Sequence, residues 1–249
     1  MITKHTRTRL VLLPGLDGTG ELFAPFISAL PNHLARHIVA YPKQALNLEA
    51  LAEYVINRLP EGEIILLAES FSGLVALTLL AQDHAPIKGV IFCAAFASSP
   101  RPWLVHATSR LPFLQRLFRF TPDALMRHYC LDQDASASQI DLLRSIVLSV
   151  PEAVLSQRLR LIEGFKPSIG KPLKLPCYFL QADGDRLVPP QAASWFRDHF
   201  EPFQLQRIEG PHFLLQSNPS VCAKGVMAIL DEWERSGYLS GVDTSPRPD

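Results

Sequence analysis

The stretch "IILLAESFSGLVAL", residues 64–77, decides the fold. Four large apolar residues, Ile64 to Leu67, read as a strand buried on both faces. The chain then leaves through Ala68-Glu69, turns at Ser70, and resumes apolar at Leu74-Val75-Ala76-Leu77. Two readings compete for the turn. Ser70 is an ordinary helix N-cap with a glycine nearby, or it is a nucleophile held on a strained strand-to-helix bend.

Outward from this stretch, short apolar runs alternate with helical patterns. Strands are expected at Arg9–Leu13, Arg36–Ala40, Ile64–Ala68, Lys88–Ala94, Cys177–Gln181 and Phe203–Ile208. Helices are expected at Glu21–Leu30, Leu48–Leu59, Gly73–Gln82, Gln191–His199 and Pro219–Glu234. This alternation predicts an α/β fold, a doubly wound and mostly parallel sheet of about six strands. Right-handed crossovers place helices on both faces.

One connection breaks the rhythm. Roughly 80 residues separate Ala94 from Cys177, with helical patterning and no strand, far beyond an ordinary βα connection. The spacing predicts a core from 1–98 and 171–235, a helical lid inserted after the fourth strand at 99–170, and a frayed tail at 236–249. Within the lid, Phe113, Leu114, Leu117 and Phe118 form one side of an amphipathic stretch, and Arg116 and Arg119 another.

Composition excludes several classes. Of 249 residues, Lys+Arg and Asp+Glu number 24 each, so the formal net charge is zero and nothing electrostatic favours a nucleic acid. Cys93, Cys130, Cys177 and Cys222 form no CxxC pair and read as buried thiols of a reducing cytosol. The basic start MITKHTRTR is followed by too short an apolar run for a signal peptide, and no run reaches the ~18 residues of a membrane span. A cytoplasmic protein is expected. No HExxH or comparable spacing occurs, so neither metal nor cofactor is expected.

The first strand enters "LLPGLDGTGELF", residues 12–23. A glycine-rich loop there can cradle phosphate. Its GxxGxG spacing is not that of a dinucleotide loop, and no Asp or Glu stands between Glu21 and Glu49 to hold a ribose. The alternatives are a loop whose backbone N–H groups face an oxyanion, and a plain turn.

A serine nucleophile needs a base and a carboxylate to orient it. In a parallel sheet such groups gather at the carboxyl ends of strands. "ADGDRLVPP" follows the fifth expected strand and carries Asp185; "EGPHFLLQSNP" follows the sixth and carries His212. The order Ser70, Asp185, His212 resembles that of the α/β-hydrolase superfamily. Four segments carry the resemblance in register: "PGLDG", "AESFSG", "DGDRLVP" and "GPHF". Together they span about 9–98 and 171–235. Two departures stand out: Ala68 and Ser72 replace the elbow glycines, and Pro14-Gly15 replaces a His-Gly pair. The edge hairpin common in the family is short or missing.

The resemblance implies a serine carboxylesterase or thioesterase. It assigns Ser70 as nucleophile, His212 as base and Asp185 as orienting acid, with the Leu16 and Phe71 N–H groups as oxyanion donors. Asp183, close by, reads as a turn residue. Glu69 beside the nucleophile reads as solvent-facing or structural before it reads as orienting polar groups near the elbow, and Asp17 and Thr19 read as entrance or loop residues. A lid rich in large apolar residues favours a small-molecule ester with an apolar acyl group, with Trp103, Phe113 and Leu117 as expected substrate contacts. Residues 101–128 hold five arginines against one acid, Asp123. A solvated face explains this, as does a dock for acyl carrier protein through Arg116 and Arg119. "ASSP" and "VLSVPEAVL" are similar to the cap of carboxylesterases that cleave pimeloyl-carrier-protein methyl ester. Thioesterase, acyltransferase and non-catalytic ligand-binding readings stay open on the same residues.

Overall fold

The computed structural model describes residues 8–82, 86–111 and 113–239. Strand β1 (Arg9–Leu13) leads through a short 3-10 turn at Glu21–Phe23 into α1 (Ala24–Ala29). Then come β2 (Arg36–Ile38), α2 (Leu48–Ile56), β3 (Ile64–Glu69), α3 (Ser72–Leu80) and β4 (Ile87–Cys93). Five helices follow: α4 (Pro102–Ser109), α5 (Leu114–Arg119), α6 (Asp123–Tyr129), α7 (Ala137–Ser149) and α8 (Glu152–Gly164). The chain closes with β5 (Cys177–Ala182), α9 (Ala192–His199), β6 (Phe203–Ile208), α10 (Leu214–Ser217) and α11 (Pro219–Arg235).

The described strands form one sheet in the order β2-β1-β3-β4-β5-β6, every pair parallel. All six residues of β3 are buried because helices cover both faces. Ile64, Leu66 and Ala68 enter the core beneath α2, α3 and α9. Ile65 and Leu67, one residue out of phase, enter the core beneath α1, α10 and α11, where Phe26, Leu214 and Trp233 meet them.

Several boundaries differ from the sequence-based expectation, and three of the differences have a plain physical reason. The helix expected from Glu21 begins as a 3-10 turn, and its α-helical part starts at Ala24 with Pro25 in its first turn. Proline lacks the N–H that a helix interior uses, so it sits where none is needed. Strand β2 stops at Ile38 on the sheet edge, where two of its three residues are exposed. The frayed tail expected from 236 is anchored at its start, since Leu239 is buried in the α11-side core; 240–249 lie outside the described residues.

The insertion between β4 and β5 has its own small cores. Met126, Leu131, Ile140, Leu143 and Ile146 form one, with Leu22 of the sheet domain among them. Helix α7 starts on a capping box: Ser136 accepts from the Gln139 N–H, and the Gln139 side chain accepts from the Ser136 N–H. Among the described residues, no helix is long and apolar enough to cross a membrane.

Candidate active site

The carboxyl ends of β1, β3, β5 and β6 meet at one point, so residues more than a hundred positions apart become neighbours. Ser70 leaves β3 with φ of +50°, a left-handed conformation that a residue with a side chain adopts only when its surroundings enforce it. The enforcement is local. The Ser70 N–H donates to the Cys93 carbonyl at 2.9 Å, and the Gly73 N–H donates back to the Ser70 carbonyl at 2.9 Å. Gly73 leaves no room for a side chain: a Cβ there would lie 3.0 Å from the Ala95 Cβ and 3.1 Å from the Phe96 carbonyl. Ser70 does not cap α3; the helix N-cap is Phe71, and no side chain caps it.

Ser70 Oγ lies 2.9 Å from His212 Nε2. His212 Nδ1 lies 2.8 Å from Asp185 Oδ2. The other Asp185 oxygen accepts from the Leu187 and Val188 N–H groups, each at 2.8 Å. A carboxylate fixed by two backbone donors cannot swing, so it selects the imidazole tautomer with its proton on Nδ1. His212 is buried, with its ring edge-on to Phe213. Burial alone lowers the His212 pKa; the adjoining Asp185 charge and hydrogen bond, with a smaller contribution from Glu69, outweigh it and hold it above the ordinary histidine value.

Gly15, Leu16 and Phe71 border the same cavity as Ser70 and His212. Among the described residues, neither the Leu16 nor the Phe71 N–H donates to a backbone carbonyl. Ser72, at a usual glycine position of the elbow, has a definite role: its hydroxyl donates to the Pro14 carbonyl and meets the Tyr41 hydroxyl. The hydroxyl ties the start of α3 to the glycine-rich loop. Asp17 holds that loop from within, accepting from the Thr19 N–H at 2.8 Å and the Thr19 hydroxyl at 2.6 Å.

A cavity of about 350 Å³ opens from Ser70. Its upper wall is apolar and comes from the insertion: Leu104 and Val105 of α4, Leu114 and Phe118 of α5, Leu143 and Val147 of α7, and Leu155, Leu159 and Ile162 of α8. The expected contacts Trp103, Phe113 and Leu117 are not part of that wall and are 71%, 64% and 57% exposed. This corrects the sequence-based assignment, and the correction is one residue in each case. The apolar stripe of α5 is two residues wide, and only its Leu114–Phe118 edge turns inward. Arg116 and Arg119 are exposed on the same helix.

Two residues carry more than the sequence suggested. Glu69 is not solvent-facing but 3% exposed, and it accepts from Gln216 Nε2 at 3.1 Å. Burial, aided by the Asp17 charge, pushes its carboxyl up to about 7, although Gln216, His212 and the Gly15 N–H favour the ionised form. Arg158 of α8 is 4% exposed beside the glycine-rich loop. Asp183 pairs through its backbone N–H with the Ile208 carbonyl and plays no part in the Ser70–His212–Asp185 chain. Among the described residues, no cluster of three or more His, Cys, Asp or Glu could hold a metal ion.

Parallel sheet, strained serine turn and glycine-rich loop together define the α/β-hydrolase class. The chain belongs to the alpha/beta hydrolase family, whose model matches residues 10–224. No curated protein matches its sequence. Its fold is similar to that of an esterase from Exiguobacterium antarcticum (TM-score 0.75, 13% identity, covering 90% of this chain and 92% of that one). It is also similar to an enol-lactonase from Burkholderia xenovorans LB400 (TM-score 0.73, 16% identity, 92% and 93% covered). A third likeness is to RedJ, a thioesterase of the prodiginine pathway in Streptomyces coelicolor (TM-score 0.64, 23% identity, 90% and 85% covered).

Proposed function

We propose that this protein is a serine ester hydrolase that cleaves carboxylic esters with an apolar acyl group through an acyl-enzyme on Ser70. The observation that carries this reading is the 2.9 Å contact between Ser70 Oγ and His212 Nε2, at the floor of an apolar cavity. His212 Nε2 takes the serine proton as Oγ attacks the ester carbonyl. Asp185 stabilises the imidazolium through Nδ1–H. The Leu16 and Phe71 N–H groups receive the tetrahedral oxyanion, each worth roughly 3 kcal/mol where such a donor has been removed. The protonated His212 then gives its proton to the leaving alkoxide. Water, deprotonated by the same base, resolves the acyl-enzyme.

Residues 99–170 act as a lid in this reading, on a core of 1–98 and 171–235. The lid supplies the acyl slot, and exposed Arg116 and Arg119 offer a basic face to an acidic carrier protein bearing the acyl group. The free thiols Cys93, Cys177 and Cys222, all buried, suit a cytoplasmic setting. The likeness to the RedJ thioesterase favours a second reading, an acyl thioesterase on the same residues. Rates on a matched ester and thioester separate the two.

The test is intact-mass analysis after treatment with an alkyl fluorophosphonate. One adduct per chain, absent in Ser70→Ala, is expected. No adduct on folded wild-type protein would move the non-catalytic ligand-binding reading to the front.

A further inference from the structure

Arg158 stands on the buried stripe of α8, with Val154, Leu155 and Ile162 as the other buried residues of that helix. Burying a guanidinium is costly unless its donors are matched. Here they end on backbone. Nη1 donates to the Leu16 carbonyl at 2.8 Å and to the Asp17 carbonyl at 2.7 Å. Nη2 faces the Pro42 carbonyl at 3.4 Å, and the Tyr41 ring centre is 5.5 Å from Cζ. Arg158 does not border the cavity, so it is not placed to receive a substrate anion.

The carbonyls it holds belong to the glycine-rich loop, and their neighbours are held as well. The Pro14 carbonyl accepts from the Ser72 hydroxyl. The Gly15 carbonyl accepts from the Gly18 N–H at 3.1 Å, and the Gly18 carbonyl from the Tyr41 N–H at 2.7 Å. Five successive carbonyls, 14 to 18, thus have donors. Among the described residues, Arg158 is the donor to two of them, those of Leu16 and Asp17. A loop with Gly15, Gly18 and Gly20 has wide backbone freedom, and a flipped peptide would turn the Leu16 N–H away from the site. Gly18, at φ of +69°, also makes room for the guanidinium, because a Cβ there would run into it.

We propose that Arg158 is a positioning residue: helix α8 inserts a guanidinium that fixes the Asp17–Gly18 peptide, whose N–H holds the Gly15 carbonyl, and so aims the Leu16 N–H of the Gly15–Leu16 peptide at the reacting carbonyl. This inference rests on the serine-hydrolase reading above. It makes the insertion part of the oxyanion hole as well as the wall of the acyl slot.

The test compares wild type with Arg158→Lys and Arg158→Met on p-nitrophenyl hexanoate. Rates are normalised to sites titrated to completion with fluorophosphonate. Lysine keeps the charge, but one ammonium does not reproduce the fork; it decides the matter where the methionine variant does not fold. The expected result is kcat per titrated site lower by about 10- to 100-fold, with KM nearly unchanged, as for partial loss of an oxyanion donor. Inhibition by an alkyl trifluoromethyl ketone, which adds the serine to form an oxyanion, weakens by a similar factor. Binding of the matched alkyl alcohol does not weaken. A structural role alone lowers the melting temperature and the titratable fraction but leaves kcat per site intact. That result, or a loss confined to KM, overturns the proposal. Failure of the underlying reading looks different, because wild type itself would then not be labelled at Ser70.

Discussion

Glu69 Oε1 accepts a hydrogen bond from Gln216 Nε2 at 3.1 Å, directly behind the serine in sequence and out of contact with bulk water. A carboxyl in that place prefers its proton. Its folded value of about 7 lies above the ordinary glutamate value of 4.5. The stability it contributes is fully present below pH 4.5 and is lost as pH rises through 7.

Glu69→Gln keeps the shape and removes the ionisation. Its melting temperature is expected to match wild type near pH 4.5 and to exceed it at pH 8. The full gain corresponds to about 3 kcal/mol. Thermal unfolding of both proteins across this range checks it, and equal melting temperatures at pH 8 would contradict the buried, protonated carboxyl.

His212 must be neutral to take the serine proton. Its pKa is held above the ordinary histidine value, against burial, by Asp185 and to a lesser degree by Glu69. The acid limb of the kcat/KM profile is therefore expected to bend above the usual 6.5. A profile flat from pH 5 to 8 would remove His212 as base.

Ser72→Ala deletes a hydroxyl that bridges the Pro14 carbonyl and the Tyr41 hydroxyl, both inside the protein. Leaving such groups unmatched costs about 1–3 kcal/mol. Urea unfolding is expected to report a loss of this size with an unchanged m-value. A loss below about 0.5 kcal/mol would show that water or a local shift replaces the bridge.

Val147 of α7 lines the cavity and is only partly buried, so a larger side chain there fills the cavity more than it strains the core. Val147→Trp is expected to lower kcat/KM for p-nitrophenyl decanoate at least about tenfold, a difference of ~1.4 kcal/mol, while sparing the acetate. Trp103→Ala, on the outer surface, is expected to leave the chain-length profile unchanged.

The alternation of strand and helix was legible along the chain because strands buried on both faces are nearly continuous apolar runs. Ile64–Glu69 and Cys177–Ala182 are wholly buried, and their apolar runs mark them to within a residue. Edge strand β2 is shorter than its apolar run because an edge carries a weaker pattern. The order of Ser70, Asp185 and His212 after β3, β5 and β6 is also legible, because a parallel sheet sends every strand end to the same rim.

Tertiary structure alone decided which side of a helix faces the cavity. Trp103, Phe113 and Leu117 lost to their neighbours because a wide apolar stripe does not reveal which of its edges is covered. Arg158 left a trace, an arginine in phase with Val154, Leu155 and Ile162, yet the same pattern fits a long side chain reaching for solvent. Its partners are backbone carbonyls some 140 positions away. Backbone carbonyls are common to every residue and write nothing into the sequence, so only the fold determines where such a guanidinium ends.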